Sequence, residues 1–124
     1  MEQKNEFFLR SYIISSHEDC DYYVNVEVGY NERFELVVRM SIDDSYEGIE
    51  YINEAYATRD AAYELSRRMK TPMVNLPAKL AQGCRTAQHA GDFPSARDIN
   101  DSYREVLAML DRYGCRYRFR SLEV

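Results

Sequence analysis

The chain has 124 residues, which suits one hydrophobic core, and we predict that residues 1–124 form a single domain. Hydrophobic residues make up 45% of the sequence and charged residues 30%, which excludes a disordered composition. The formal net charge of −5 disfavours non-specific binding to nucleic acid or to anionic membranes, because both depend on a basic surface.

Three further features predict a cytoplasmic protein without a membrane segment. The apolar runs are far shorter than the ~20 residues that a membrane-spanning helix needs. The N-terminal sequence MEQKNEF lacks the basic and apolar regions of a signal peptide. The three cysteines are an odd number at wide spacing, which is typical of reduced thiols rather than of a secreted disulfide framework.

The first part of the chain predicts β-strands. Residues 6–15 bear apolar side chains on both faces, which is typical of a strand that is central or covered on both sides. Residues 22–42 alternate apolar and polar side chains around a short polar turn at Asn31 and Glu32, and this period of two predicts a hairpin with one buried face. The expected core residues of this hairpin are Val26, Phe34, Leu36 and Val38.

Residues 44–57 are compatible with two structures. Together with the residues that follow, they can form one long helix that begins near Asp44. Alternatively, residues 49–56 form a fourth strand and Thr58 caps a helix over residues 59–69. We favour the strand followed by the helix, because a threonine in the middle of a helix would leave its capping group unused.

The remaining sequence predicts two more helices and a last strand. Pro77 suits the first turn of a helix over residues 78–90. Apolar residues at helical spacing over residues 99–113 predict an amphipathic helix that stops at Gly114. The predicted fold class is therefore α+β: an antiparallel sheet of four or five strands, from the N-terminal hairpin region and the C-terminal strand, with two or three helices mainly on one face.

The last strand places three arginines on one side. Cys115, Tyr117 and Phe119 face one way, and Arg116, Arg118 and Arg120 face the other. We expect these arginines on the sheet face that bears Glu27 and Glu35, where opposite charges on neighbouring strands attract each other. If those pairs are exposed to solvent, each contributes only about 0–1 kcal/mol.

Two close pairs of metal-binding residue types occur in the sequence. His17 and Cys20 form one pair, and Cys84 and His89 form the other, so zinc ligation by all four is an open alternative. The spacing lacks a paired C-x2-C signature, and we predict no metal and no cofactor. The sequence around Cys84 does not resemble a nucleophile turn, and glycine is too scarce for a phosphate-binding loop, which favours a protein that is not an enzyme.

These observations favour a small acidic, non-enzymatic module that binds another protein. Eleven tyrosines suit half-buried strand faces, the explanation that we favour, and they suit protein interfaces as well. The candidate partner-binding residues are Arg116, Arg118, Arg120, Glu27 and Glu35. In size and charge alone, the chain resembles the small inhibitors made by phages and mobile elements, including anti-CRISPR proteins.

Two other functions stay open at this point. The chain can be a structural or regulatory homo-oligomer, such as a homodimer, that pairs through a sheet edge. It can also be a nucleic-acid-binding domain that uses the arginines of the C-terminal strand. The sequence disfavours the latter, because the aromatic side chains that would stack on bases face away from the arginines.

Overall fold

Five antiparallel strands form one sheet in which neighbours in the chain are neighbours in space. The computed structural model describes residues 6–16, 22–44 and 46–124. The strands are β1 (Phe7–Ser15), β2 (Tyr22–Asn31), β3 (Leu36–Asp44), β4 (Ile49–Ala57) and β5 (Arg118–Glu123). In the described ranges, the α-helices are α1 (Arg59–Arg68), α2 (Leu76–Gln82), α3 (Arg85–His89) and α4 (Ala96–Arg112), and a 3-10 turn at Met73–Asn75 precedes α2.

The helices pack on one face of the sheet and form the main core with it. The strand register places Val28 opposite Val38 and Tyr30 opposite Leu36 on this face. Buried helix residues complete the same cluster: Leu65, Leu76, Leu80, Ile99, Val106 and Leu110. The structure therefore confirms the predicted α+β class, with an antiparallel sheet and helices mainly on one face.

The strand-then-helix interpretation of residues 44–57 is confirmed. β4 pairs with β3 along its whole length, and Thr58 follows it as the N-cap of α1. The Thr58 hydroxyl accepts a hydrogen bond from the Ala61 N–H at 3.2 Å, which satisfies one of the free donors at the helix start. The helix ends at Arg68, one residue earlier than predicted.

The prediction that the first strand is central or covered on both sides is wrong, because β1 is an edge strand. Its pairing with β2 shifts register between Phe8 and Ser11 and again between Tyr12 and Ile14. Each shift interrupts the alternation of side chains, so the two apolar sets counted in the sequence do not correspond to the two faces. Phe8, Leu9 and Tyr12 are consequently exposed.

The hairpin is present, but Phe34 is not one of its core residues. Val26, Leu36 and Val38 are buried as predicted, whereas 51% of the Phe34 surface is exposed. The Asn31 side-chain oxygen accepts hydrogen bonds from the backbone N–H groups of residues 33 and 35, at 3.0 and 3.1 Å. This Asx-type turn extends the loop to Leu36 and places Phe34 in the left-handed region, at φ 60°.

The prediction of a single buried face on this hairpin is also wrong. Val37, Arg39 and Ser41 of β3 point away from the helices, and all three are buried. β3 is the central strand, and the Phe7 ring of β1 lies over Arg39, with 3.9 Å between the guanidinium carbon and the ring centre.

The single helix predicted over residues 78–90 is two helices. Gly83 ends α2, and Cys84 has an extended backbone before α3 begins. The cause is a contact from α4: one Glu105 carboxylate oxygen accepts the Arg85 N–H at 2.8 Å, and both oxygens accept the Thr86 N–H. The carboxylate acts as an N-terminal cap supplied from 20 residues away, which the local sequence pattern does not indicate.

The amphipathic helix predicted over residues 99–113 is α4, and it begins earlier, with Ser95 as its N-cap. The Ser95 hydroxyl accepts a hydrogen bond from the Asp98 N–H, and the Asp98 carboxylate accepts one from the Ser95 N–H, so the two residues form a capping box.

No helix in the part of the chain that the structure describes is long and apolar enough to cross a membrane.

Tyr30 joins the sheet to the segment before α2, and its environment predicts an alkaline loss of stability. Its hydroxyl donates to the Met73 carbonyl oxygen at 2.6 Å, and burial raises the pKa of Tyr30 to about 12. Because the unfolded chain releases this proton near pH 10, the stabilisation is complete below pH 10 and is lost as the pH rises towards 12. Burial raises the pKa values of Tyr103 and Tyr117 to about 12 as well, so their contributions to stability are also lost as the pH rises above 10.

We therefore expect the Tyr30→Phe variant to lose less stability than the wild type between pH 10 and 12. Denaturant midpoints measured at pH 9, 10, 11 and 12 test this expectation. Tyr46→Phe, at a strongly exposed position, is the matched control and should follow the wild-type curve. Identical alkaline curves for Tyr30→Phe and the wild type would contradict the assignment.

Candidate protein-binding site

Four charged residues of alternating sign form a row across the sheet, on the face opposite the helices. Glu27 of β2 lies opposite Arg39 of β3, Arg39 lies opposite Glu54 of β4, and Glu54 lies opposite Arg120 of β5. We call these four residues the charge row. Unlike charges that lie directly opposite each other on neighbouring strands attract each other. The charge row therefore stabilises this register of the sheet.

Glu54 binds two arginines at the centre of the charge row. Arg39 Nε donates to Glu54 Oε2 at 2.7 Å, and Arg120 Nε donates to Glu54 Oε1. Glu54 and Arg39 are each about 1% exposed, so this pair is inside the protein. Burial by itself would lower the pKa of Arg120, but the hydrogen bonds and charges of Glu54 and Glu35 outweigh it and raise that pKa.

Aromatic rings cover the charge row from the solvent side. The Arg39 guanidinium lies 3.9 Å from the centre of the Phe7 ring, and that of Arg120 lies 4.2 Å from the centre of the Tyr56 ring. The Phe7 ring also lies over Gly29, where an added Cβ would be 3.4 Å from ring carbons. These cation–π contacts and the missing side chain at Gly29 explain how the face opposite the described helices buries charged groups.

The structure separates the five predicted partner-binding residues. Arg120 lies within the charge row and also reaches Glu35, with Nη2 at 3.3 Å from Oε1. Glu27 pairs instead with Arg10 of β1, at 3.5 Å. Because three strand spacings separate Glu27 from β5, about 14 Å, an arginine of β5 cannot pair with it.

The expectation of weak, solvent-exposed pairs is therefore wrong for Arg120. Its partner Glu54 is buried, and the Arg120 side chain itself is only 23% exposed. This arginine supports the fold and offers little surface to a partner.

Arg116 and Arg118 have the opposite character. Both are exposed, and in the described ranges neither has an ion pair within 4 Å. They line an open groove of about 740 Å³ between α1 and the segment that enters β5, together with Asp60 and Glu64. Arg116 lies outside the strand, because β5 begins at Arg118 rather than at the predicted Cys115.

Arg118, the first residue of β5, lines this groove, and the outer edge of the same strand has free backbone groups in the described ranges. Glu50 and Val124 exchange both of their N–H···O bonds, at 2.8 and 3.0 Å, which sets the alternation along the β4–β5 pair. By that alternation, the backbone groups of Phe119, Ser121 and Glu123 point away from β4. No backbone hydrogen bond to these groups occurs on that side within the described residues, because β4 is the only strand that pairs with β5.

An apolar side chain accompanies these free groups. Phe119 is 64% exposed on the face that carries the helices, and its ring makes an edge-to-face contact with Tyr117 at 5.5 Å. Arg118 and Arg120 lie on the other face, opposite Tyr56 and Glu54. The β5 edge therefore presents positive charge on one side and an aromatic ring on the other.

A second exposed surface lies at the turn of the β2–β3 hairpin, on the other side of Asp60, which lines both grooves. Phe8, Leu9, Phe34, Tyr63 and Val74 line a groove of about 570 Å³. Leu9 and Phe34 both have left-handed backbones, with φ of 53° and 60°, which is uncommon for bulky side chains. Sequence reasoning missed this surface, because it assigned both residues to the regular alternation of strands.

The zinc alternative falls partly outside the described residues, since His17 and Cys20 belong to residues 17–21. Cys84 is buried, and its thiol lies 3.6 Å from the Ser102 carbonyl oxygen. Burial raises the pKa of the Cys84 thiol, so this residue is poorly suited to act as a thiolate. His89 is exposed on α3.

Sequence reasoning also missed Arg39 and Glu54, the central pair of the charge row. A period-two pattern places each of them on a face but does not give the register that joins them.

Comparisons of this chain with protein-family models, with curated proteins and with solved structures found no match.

Proposed function

We propose that this chain is a small non-enzymatic protein-binding module, and that its partner contacts Arg116, Arg118 and the outer edge of β5. The supporting observation is that Arg116 and Arg118 are exposed and have no ion pair in the described ranges, and that β5, which begins at Arg118, has outward backbone groups to which no described strand bonds. A partner can pair with these arginines and bond to these backbone groups without breaking any bond within the chain. Arginine is also enriched among the residues that dominate binding energy at protein interfaces.

The surroundings of these arginines favour a protein over a nucleic acid. Asp60 and Glu64 of α1 line the same groove and repel the continuous row of phosphates of a nucleic acid, whereas a protein can place an acidic side chain on the Arg118 face, opposite the helices. Phe119 faces away from Arg118, so stacking on a base and pairing with the adjacent phosphate cannot use one surface.

A homo-oligomer that pairs through the β5 edges receives less support. A two-fold axis perpendicular to the sheet keeps each face on its own side, so Arg118 and Arg120 of both copies would share one face. Like charges on neighbouring strands repel each other. The more specific expectation of a phage or mobile-element inhibitor rests on size and charge alone, and it stays a prediction.

Affinity capture with matched arginine variants tests the proposed function. The tagged wild type and the Arg116→Gln/Arg118→Gln variant are used to capture proteins from cells of the source organism. We expect at least a tenfold loss of the captured partner for the variant, with an unchanged melting temperature, since exposed arginines contribute little to stability. The control is the Arg97→Gln/Arg104→Gln variant, which loses two positive charges at exposed positions of α4. It should capture the partner as well as the wild type does.

Three outcomes contradict this proposal. Equal partner capture by the two variants would remove Arg116 and Arg118 from the site and leave the groove around Phe34 as the better candidate. Captured nucleic acid that is lost with the arginines would favour the nucleic-acid function. A wild-type mass in solution of twice the chain mass, reduced by the Arg116→Gln/Arg118→Gln variant, would favour the homodimer.

A further inference from the structure

We infer that the partner binds as an extended segment that adds a sixth strand along β5, with an acidic side chain against Arg118 and an apolar side chain against Phe119. This inference rests on the proposed function and specifies how the partner is recognised. Addition of a strand to a sheet edge uses backbone hydrogen bonds for affinity and alternate side chains for specificity.

The first argument is the regularity of the β5 edge. Its pairing with β4 runs without a register shift from Tyr56 opposite Arg118 to Tyr51 opposite Glu123. The outward N–H and C=O groups of Phe119, Ser121 and Glu123 are therefore evenly spaced along the strand. An incoming strand can bond to all three residues in one register.

The second argument is the contrast with the other edge of the sheet. β1 has two irregularities in its pairing with β2, and Leu9 within the first has a φ of 53°. Such bulges twist an edge and interrupt the spacing that a new strand needs, which is how natural sheets prevent pairing at an edge. β5 has no such protection in its described pairing.

The third argument is the charge that the edge presents. Signs alternate along the charge row, from Glu27 to Arg39, to Glu54 and to Arg120, so the next strand would continue it with a negative charge. Arg118, on the same face, is exposed and has no ion pair in the described ranges. An acidic side chain opposite Arg118 therefore gains an ion pair that the isolated chain lacks.

The other face of the same edge selects an apolar residue. Phe119 is mostly exposed, and its ring–ring contact within the described residues is the edge-to-face contact with Tyr117. Neighbouring residues of a strand point to opposite faces, so the partner segment should alternate acidic and apolar side chains. A second copy of β5 does not meet this requirement, because its arginines occupy the positions where acids are needed.

A synthetic peptide of alternating Glu and Val, eight residues long and capped at both ends, is the probe. In a nitrogen-15 NMR titration of the full chain, we expect the largest shifts at the amides of Phe119, Ser121 and Glu123, and slower hydrogen exchange there. The matching Lys-Val peptide should bind at least tenfold more weakly. Equal binding of the two peptides would overturn the acidic specificity.

A proline substitution tests the backbone bonds. The Ser121 N–H points away from β4, so Ser121→Pro removes one outward donor and keeps the bonds between β4 and β5. Ser121→Ala is the matched control, since both variants lose the hydroxyl that donates to Asn53 Oδ1 at 2.8 Å. We expect at least a tenfold weaker affinity for the Glu-Val peptide with proline than with alanine.

Modified peptides test the same bonds without any change to the protein. We infer an antiparallel orientation for the added strand, in which the valines lie opposite Phe119, Ser121 and Glu123 and direct their N–H groups to β5, whereas the glutamates direct theirs away. N-methylation of the valines should abolish binding, and N-methylation of the glutamates should preserve it.

Unaltered binding of both the proline variant and the valine-methylated peptide would overturn strand addition. The proposed function would then stand if the Arg116→Gln/Arg118→Gln variant still loses the captured partner. The proposed function itself would be contradicted if the Arg116→Gln/Arg118→Gln variant retains the captured partner.

Discussion

Replacement of Glu54 by glutamine is expected to lower the free energy of unfolding by about 3 kcal/mol, because it removes the central negative charge of a buried row. Glutamine has nearly the same shape, so the variant tests charge rather than packing. Glu54 accepts hydrogen bonds from Arg39 and Arg120, and Arg39 is almost fully buried. Without the carboxylate, two arginines face each other across β4 with only a neutral amide between them.

Salt dependence distinguishes this effect from that of a surface charge. The Glu54→Gln loss should persist in 1 M NaCl, because buried charges are screened far less than exposed ones. Glu64→Gln is the matched control on the surface of α1, where Glu64 pairs with Arg67 at 3.9 Å. We expect that control to change stability by less than about 0.5 kcal/mol. A comparable small loss for Glu54→Gln in urea melts would show that the row contributes nothing to stability.

The charge row also limits what arginine substitutions in β5 can report. A triple replacement of Arg116, Arg118 and Arg120 changes stability and surface charge together, because Arg120 binds the buried Glu54. A loss of partner capture in that variant would not separate unfolding from a damaged contact. The Arg116→Gln/Arg118→Gln variant avoids this ambiguity, since both side chains are exposed.

Patterns that depend on local chemistry were predictable from the sequence. Alternation over residues 22–42 gave the hairpin and the buried Val26, Leu36 and Val38. Thr58 marked the start of α1 because an N-cap acts on the next few residues only. The face on which Arg118 and Arg120 lie also followed, since side chains alternate along any strand.

Features that depend on contacts between distant segments were not predictable. The break between α2 and α3 requires Glu105 of α4, and the register shifts of β1 depend on its pairing with β2. The burial of Arg39 requires the Phe7 ring of β1 and the Glu54 carboxylate of β4, which the sequence of β3 does not specify. The free edge of β5 is a property of strand order for the same reason.

Leu36→Ala is expected to lower the free energy of unfolding by about 2–5 kcal/mol, through lost burial and the cavity that remains. Leu36 is 1% exposed and lies opposite Tyr30 on the face that packs against the helices. The cost should appear as a lower urea midpoint with an unchanged slope, because the same surface is exposed on unfolding.

Phe34→Ala is the matched control for Leu36→Ala, two residues earlier and on the same face according to the sequence pattern. About half of the Phe34 surface is in solvent, and its ring makes an edge-to-face contact with Phe8, at 5.4 Å between ring centres, and a cation–π contact with the Arg59 guanidinium at 5.5 Å. We therefore expect a loss of less than about 1 kcal/mol, since alanine keeps the left-handed backbone at this position and gives up only a partly buried ring. A loss as large as that of Leu36→Ala would show that Phe34 belongs to the core, as regular alternation predicts, and that the Asn31 turn does not hold it outside.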